Sequence, residues 1–135
     1  MIFEVTIKYV AQNKKGDDVN VKEKYIISNA ASFGDAENII TQEFGCYAGF
    51  EVVGIKISTL KEIANSRDTG EEKVFIATVT DIFTTDEGEE RETTYKVAFF
   101  SKDMSGAYSF AREYFSQGYN LSIDGIKKSN FIDII

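Results

Sequence analysis

Phe3, Val5, Ile7 and Tyr9 alternate with Glu4, Thr6 and Lys8 at the head of the chain, the period-two pattern of a strand with one buried face. The polar run Asn13-Lys14-Lys15-Gly16-Asp17-Asp18 then predicts a hairpin loop around its glycine. Residues 19–28, rich in Val and Ile, predict the returning strand. Ser32 stands three residues ahead of Asp35, a capping-box-like start, and Ala36, Ile39, Ile40 and Phe44 recur at helical spacing. Gly45 and Gly49 mark the exit from that helix. Residues 50–57 read as a third strand, interrupted by Gly54 as at a bulge or a close backbone approach.

The whole order then returns. Phe75-Ile76-Ala77-Thr78-Val79 answers Phe3-Glu4-Val5-Thr6-Ile7, Gly88-Glu89-Glu90 answers Gly16-Asp17-Asp18, Phe115 answers Phe44, and Gly125-Ile126-Lys127 answers Gly54-Ile55-Lys56. The offset is 72 up to the paired glycines and 71 from the helix onward, which places a net loss of one residue in or near a hairpin. The second copy reads as a strand at 73–83, a loop at 84–90, a strand at 92–100, a helix at 103–115 with Asp103 as N-cap, and a strand at 119–128. On a helical wheel Met104, Ala107, Tyr108, Phe110, Ala111, Tyr114 and Phe115 fill an arc of roughly 160°, a stripe suited to covering a sheet.

Each copy is β-β-α-β. A right-handed crossover places the third strand beside the first, giving the order 2-1-3 with every neighbour antiparallel. The fold class expected is α+β: two tandem repeats related by a pseudo-twofold, mainly antiparallel sheets, and two helices packed on them. The chain reads as a single domain over 1–135, made of repeat 1 (1–64), a polar linker (65–72) and repeat 2 (73–135). Both repeats close on an apolar tail, Leu60-Lys61-Glu62-Ile63 and Phe131-Ile132-Asp133-Ile134-Ile135, whose recurrence predicts docked structure in place of a free peptide.

Composition supports a packed core, with 43% hydrophobic residues, 11 Phe and 7 Tyr in 135 residues and no Pro or Trp. Cys46 is the single cysteine, so no intramolecular disulfide can form and a reducing compartment is expected. Neither a secretory leader pattern nor an apolar run of about 20 residues is visible, and a cytoplasmic location with no membrane partner is the expectation. The net charge of −7 argues against a dedicated duplex-DNA binder, although a local basic face remains compatible with it.

With no histidine and one cysteine, zinc, iron–sulfur and Cys–His nucleophilic sites lack their ligands within one chain. Asp17 and Asp18, and Asp86, Glu87, Glu89 and Glu90, cluster in the two hairpins without the ligand periodicity of a calcium loop, and read as solvated. Phosphate-cradling glycine loops and a nucleophile elbow are missing from the sequence. Cys46, just past a helix end, reads as a packing residue. The expectation is a non-catalytic protein with no metal or cofactor.

The aromatic-led strand, the glycine hairpin, Ser32-Phe33-Gly34-Asp35-Ala36-Glu37, and Phe50-Glu51-Val52-Val53-Gly54-Ile55-Lys56 with the following Glu62-Ile63 together resemble a family. It is one of small duplicated proteins of unknown function from Bacteroidetes and their crAss-like phages. The resemblance spans almost the whole chain and implies a phage or mobile-element setting; it carries no functional residue across. Lys102-Asp103-Met104-Ser105-Gly106-Ala107 departs from the pattern at the second helix start.

Charge divides the copies, with 7 basic and 9 acidic side chains in 1–66 against 8 and 13 in 67–135. The leading reading is single-stranded nucleic-acid binding, in which Lys8, Lys22 and Lys24, with Lys14 and Lys15 in the hairpin, track a backbone while Tyr9 and Tyr25 stack bases. The alternative is a protein-interaction or self-assembly module, the lysine hairpin of one copy meeting the acidic hairpin of the next in a homo-oligomer. The bland reading is drift of surface charge without function.

Overall fold

In a computed structural model, which describes residues 1–116 and 121–135, the alternating residues at the head of each repeat form long antiparallel hairpins. The first repeat contributes β1 (Phe3–Gln12), β2 (Asp18–Ile27), α1 (Phe33–Phe44), β3 (Glu51–Ile57) and β4 (Leu60–Ile63). The second contributes β5 (Lys73–Thr84), β6 (Glu90–Ser101), α2 (Met104–Phe115), β7 (Leu121–Lys128) and β8 (Phe131–Ile134). The fold is α+β, with β-β-α-β repeated twice in sequence order and two four-stranded sheets, β3-β1-β2-β8 and β4-β6-β5-β7. Residues 119 and 120, expected to open the last long strand, lie outside the described residues.

The two hairpins share one hydrogen-bond frame. Asn13 N donates to Asp17 O at 3.0 Å and Gly16 N to Asn13 O at 3.0 Å; Thr85 N donates to Glu89 O at 2.8 Å and Gly88 N to Thr85 O at 2.9 Å. Gly16 and Gly88 hold φ of 82° and 87°, a left-handed conformation that a side chain would strain. Every β1–β2 register pair recurs in β5–β6 at +72, whereas the helix N-caps Ser32 and Asp103 stand 71 apart. The residue lost between the copies therefore belongs to the connection from second strand to helix, which corrects the expectation of a hairpin. Deletion inside the hairpin would have shifted register and turned one strand's side chains over.

Local sequence explains both helix starts. Ser32 Oγ accepts from Asp35 N at 3.1 Å while Asp35 Oδ2 accepts from Ala31 N at 2.8 Å, a reciprocal cap. Asp103 Oδ1 accepts from Gly106 N at 2.7 Å. Helix α1 covers Phe3, Val5, Ile7, Tyr25 and Ile27 with Ala36 and Ile40, and α2 covers Phe75, Ala77, Val79, Val97 and Phe99 with Ala107, Ala111 and Phe115. Two members of the α2 stripe fall outside this core. Met104 opens the helix and Tyr108 sits at one edge of the arc, and both are about half exposed, at 48% and 54%.

The tails dock, as expected, but each completes the sheet of the other repeat. β8 runs parallel to β2, with Lys24 opposite Phe131 and Ile26 opposite Ile134, and β4 runs parallel to β6, with Lys96 opposite Leu60 and Ala98 opposite Ile63. Order 2-1-3 with antiparallel neighbours holds for three strands of each sheet, and the exchanged fourth strand is parallel. Backbone bonds fix it: Ile135 N donates to Ile26 O and Ser28 N to Ile135 O, both at 2.8 Å. In the other sheet Lys61 Nζ lies 4.0 Å from the Tyr95 ring centroid, and the Tyr114 hydroxyl donates to Glu62 at 3.1 Å. Contacts divide the chain into one compact unit of Met1–Ser58 with Asn130–Ile135 and another of Thr59–Ser129.

Residues 65–72, expected as the linker between the repeats, carry no helix or strand and group with the second unit. Asn65 brackets the Phe100 backbone, accepting from its N at 2.7 Å and donating to its O at 3.1 Å, and the Arg67 guanidinium lies 4.8 Å from the Phe100 ring centroid. Arg67 also donates to the carbonyls of Gly70 and Glu72. The Glu72 carboxylate, in a residue only 8% exposed, accepts from Thr69 Oγ1 and from the backbone N–H groups of Thr69 and Gly70. Those bonds, the Thr69 hydroxyl foremost, hold its pKa down at about 2 against the burial that opposes them.

Candidate functional site

Alternation sorts the side chains of β1 and β2 onto two faces. Phe3, Val5, Ile7, Tyr25 and Ile27 pack toward α1, so Glu4, Thr6, Lys8, Lys22 and Lys24 stand on the opposite, helix-free face. In register, Lys8 is directly opposite Lys22 and Thr6 opposite Lys24. β3 adds Lys56 opposite Glu4, Gly54 opposite Thr6 and Glu51 opposite Lys8. Two of the four lysines are neutralised locally, Lys8 by Glu51 at 3.1 Å and Lys56 by Glu4 at 3.6 Å. Among the described residues Lys22 and Lys24 have no ion-pair partner.

Tyr9 and Tyr25 are not on this face. Tyr25 is 4% exposed with its ring 4.6 Å from that of Phe44, and Tyr9 packs 5.0 Å from Tyr47, both on the helix side. Burial first and the nearby Glu23 carboxylate second push the Tyr25 phenol up, and its hydroxyl donates to Glu23 at 3.2 Å. A hydrogen bond with Glu23 is the largest cause pushing Tyr9 up to about 12. The structure thus separates the two tyrosines from the lysines with which the sequence reading groups them, because odd and even strand positions face opposite ways. Lys14 and Lys15 are exposed at the hairpin tip, six residues and roughly 20 Å of strand from Lys8.

The aromatic ring on the lysine face comes from the far end of the chain. Phe131, opposite Lys24, joins Glu4, Thr6, Lys24, Gly54 and Lys56 around a depression of about 320 Å³. A register shift between Thr6 and Ile7 marks a bulge in β3 there. At Gly54 an added Cβ would meet no atom within 4 Å. Gly54 and Lys56 were visible in the sequence as strand residues; Phe131 could not have been assigned to this face without knowing that β8 crosses over.

The second sheet supplies a comparison. Thr80 and Thr94 occupy the places of Lys8 and Lys22, with their hydroxyls 3.0 Å apart, and the Thr80 hydroxyl also bonds the Asp124 carboxylate. Ile76 stands at the place of Glu4 and Leu60 at that of Phe131, while Lys96 and Lys127 match Lys24 and Lys56. The hairpin tips differ in sign on one frame, Lys14-Lys15 against Asp86-Glu87.

Cys46 is exposed, which removes the packing role expected for it. Among the described residues no group of three or more Cys, Asp or Glu side chains is placed to hold a metal ion, and no helix is long and apolar enough to cross a membrane. No curated protein and no solved structure matches the chain. Residues 1–135 match one family throughout, and the chain therefore belongs to the family described as Domain of unknown function (DUF4494).

Proposed function

We propose that the helix-free face of the first sheet binds single-stranded nucleic acid. The observation that carries this reading is that Lys22 and Lys24 stand on this face with no ion-pair partner among the described residues, whereas Lys8 and Lys56 are paired with Glu51 and Glu4. Lys22 lies directly opposite Lys8, an arrangement that disfavours the sheet, and the second sheet has a hydrogen-bonded threonine pair at the same place. An anionic backbone laid across Lys22 and Lys24 supplies the counter-charge they lack. A sheet face with an aromatic ring suits unstacked bases better than the curved surface of a duplex. A cytoplasmic, phage or mobile-element setting belongs to the same proposal; the family resemblance supports its phage or mobile-element part.

Fluorescence anisotropy with a labelled single-stranded oligonucleotide tests it. Binding is expected at low salt with micromolar protein or less, and Lys22→Glu with Lys24→Glu should weaken it by roughly tenfold or more. Loss of two phosphate contacts should also lower the slope of log affinity against log salt by about 1.4. Absence of binding at low salt, or indifference to the double variant, would refute the reading.

The hairpin tips support a second reading, head-to-tail self-assembly between Lys14-Lys15 of one copy and Asp86-Glu87 of the next. Light scattering should then show an apparent mass that rises with concentration at low salt and stays monomeric for Lys14→Glu with Lys15→Glu. A wild-type mass that is flat across the range excludes it.

A further inference from the structure

We infer that the depression beside Gly54 is a pocket for one unstacked nucleobase, an assignment that rests on the nucleic-acid reading of the same face. Three features build it. The bulge and the missing side chain at Gly54 open a volume of about 320 Å³, at the lower end of the range for small-molecule sites. Phe131 lines one side, so a planar base can lie against an aromatic ring. Lys24 and Lys56 stand at the rim, where the phosphates on either side of an inserted base would pass.

The polar lining selects a base over a phosphate. Glu4 lines the depression with its carboxylate held by Lys56 at 3.6 Å and by the Ser58 hydroxyl at 2.8 Å. A phosphate inside would face that negative charge, whereas a base edge can donate to it. Thr6 adds a half-buried hydroxyl that can donate or accept. The duplicated unit replaces Glu4 by Ile76 and Phe131 by Leu60, so the same lysine rim at Lys96 and Lys127 lacks both groups that would read a base.

Gly54 and Gly125 are equivalent strand glycines with open space where a Cβ would stand, which makes each other's control. Gly54→Ile fills the pocket from the sheet itself and should weaken binding of a single-stranded oligonucleotide about tenfold without changing the salt slope; Gly125→Ile should leave affinity unchanged. The wild-type protein should bind an abasic oligonucleotide of the same length about tenfold more weakly than the base-bearing one, and Gly54→Ile should bind the abasic strand as well as wild type does. Phe131→Leu, with circular dichroism to confirm folding, should reproduce the Gly54→Ile loss. Equal affinity of the wild type for abasic and base-bearing strands, or equal losses from Gly54→Ile and Gly125→Ile, overturns the pocket while leaving the lysine face standing. No binding of either strand overturns both.

Discussion

Lys22 and Glu72 show at single positions how local chemistry is retained at a cost or harnessed for order. Facing Lys8, whose own charge Glu51 offsets in part, Lys22 has no carboxylate partner and should weaken the first sheet relative to a threonine at the same position. Lys22→Thr is expected to raise stability by up to about 1 kcal/mol, the span of strand preference between such residues, with the charge-dependent part of the gain shrinking as salt screens it; denaturant melts at two ionic strengths measure this. Glu72 acts in the other direction. Its folded pKa of about 2 lies below the ordinary value of 4.5, so the stability it contributes is present above that ordinary value and drains away as pH falls toward 2. Glu72→Gln should therefore lower the melting temperature at pH 7 and converge with wild type near pH 2; parallel curves across that range would contradict it. At this scale the sequence held more than a reading by proximity extracts from it. Lys8, Lys22 and Lys24 are even-numbered, Tyr9 and Tyr25 odd-numbered, and on strands of opposed register that difference alone places them on opposite faces.

Secondary-structure elements were the most legible level. Alternation announced β1, β2, β5 and β6, the Ser32 and Asp103 caps announced both helices, and the glycine in each third strand coincided with a bulge at the same register step, after Thr6 and after Thr78. What the pattern could not convey was the partner of a short edge strand. Leu60–Ile63 and Phe131–Ile134 are each four residues long and pair through backbone groups, which carry no sequence label. Removing residues 130–135 should uncover the edge of β2 and loosen the first unit selectively. Hydrogen exchange is expected to speed up at β2 amides while β5 and β6 keep their protection; uniform loss across both sheets would argue against separate units.

For the whole molecule, the duplication was plain in the sequence and its division into two sheets was not. Backbone frames stayed identical where charge changed, as in Lys14-Lys15 against Asp86-Glu87 and Lys8-Lys22 against Thr80-Thr94. Divergence on a fixed scaffold lets the surface chemistry of the two copies separate while the shared backbone frame is kept. The exchanged end strands carry a further consequence for biosynthesis. Because Phe131–Ile134 completes the sheet that begins at Phe3, the first sheet cannot gain its fourth strand while residues 3–57 leave the ribosome, and must wait until Phe131–Ile134 has been translated as well.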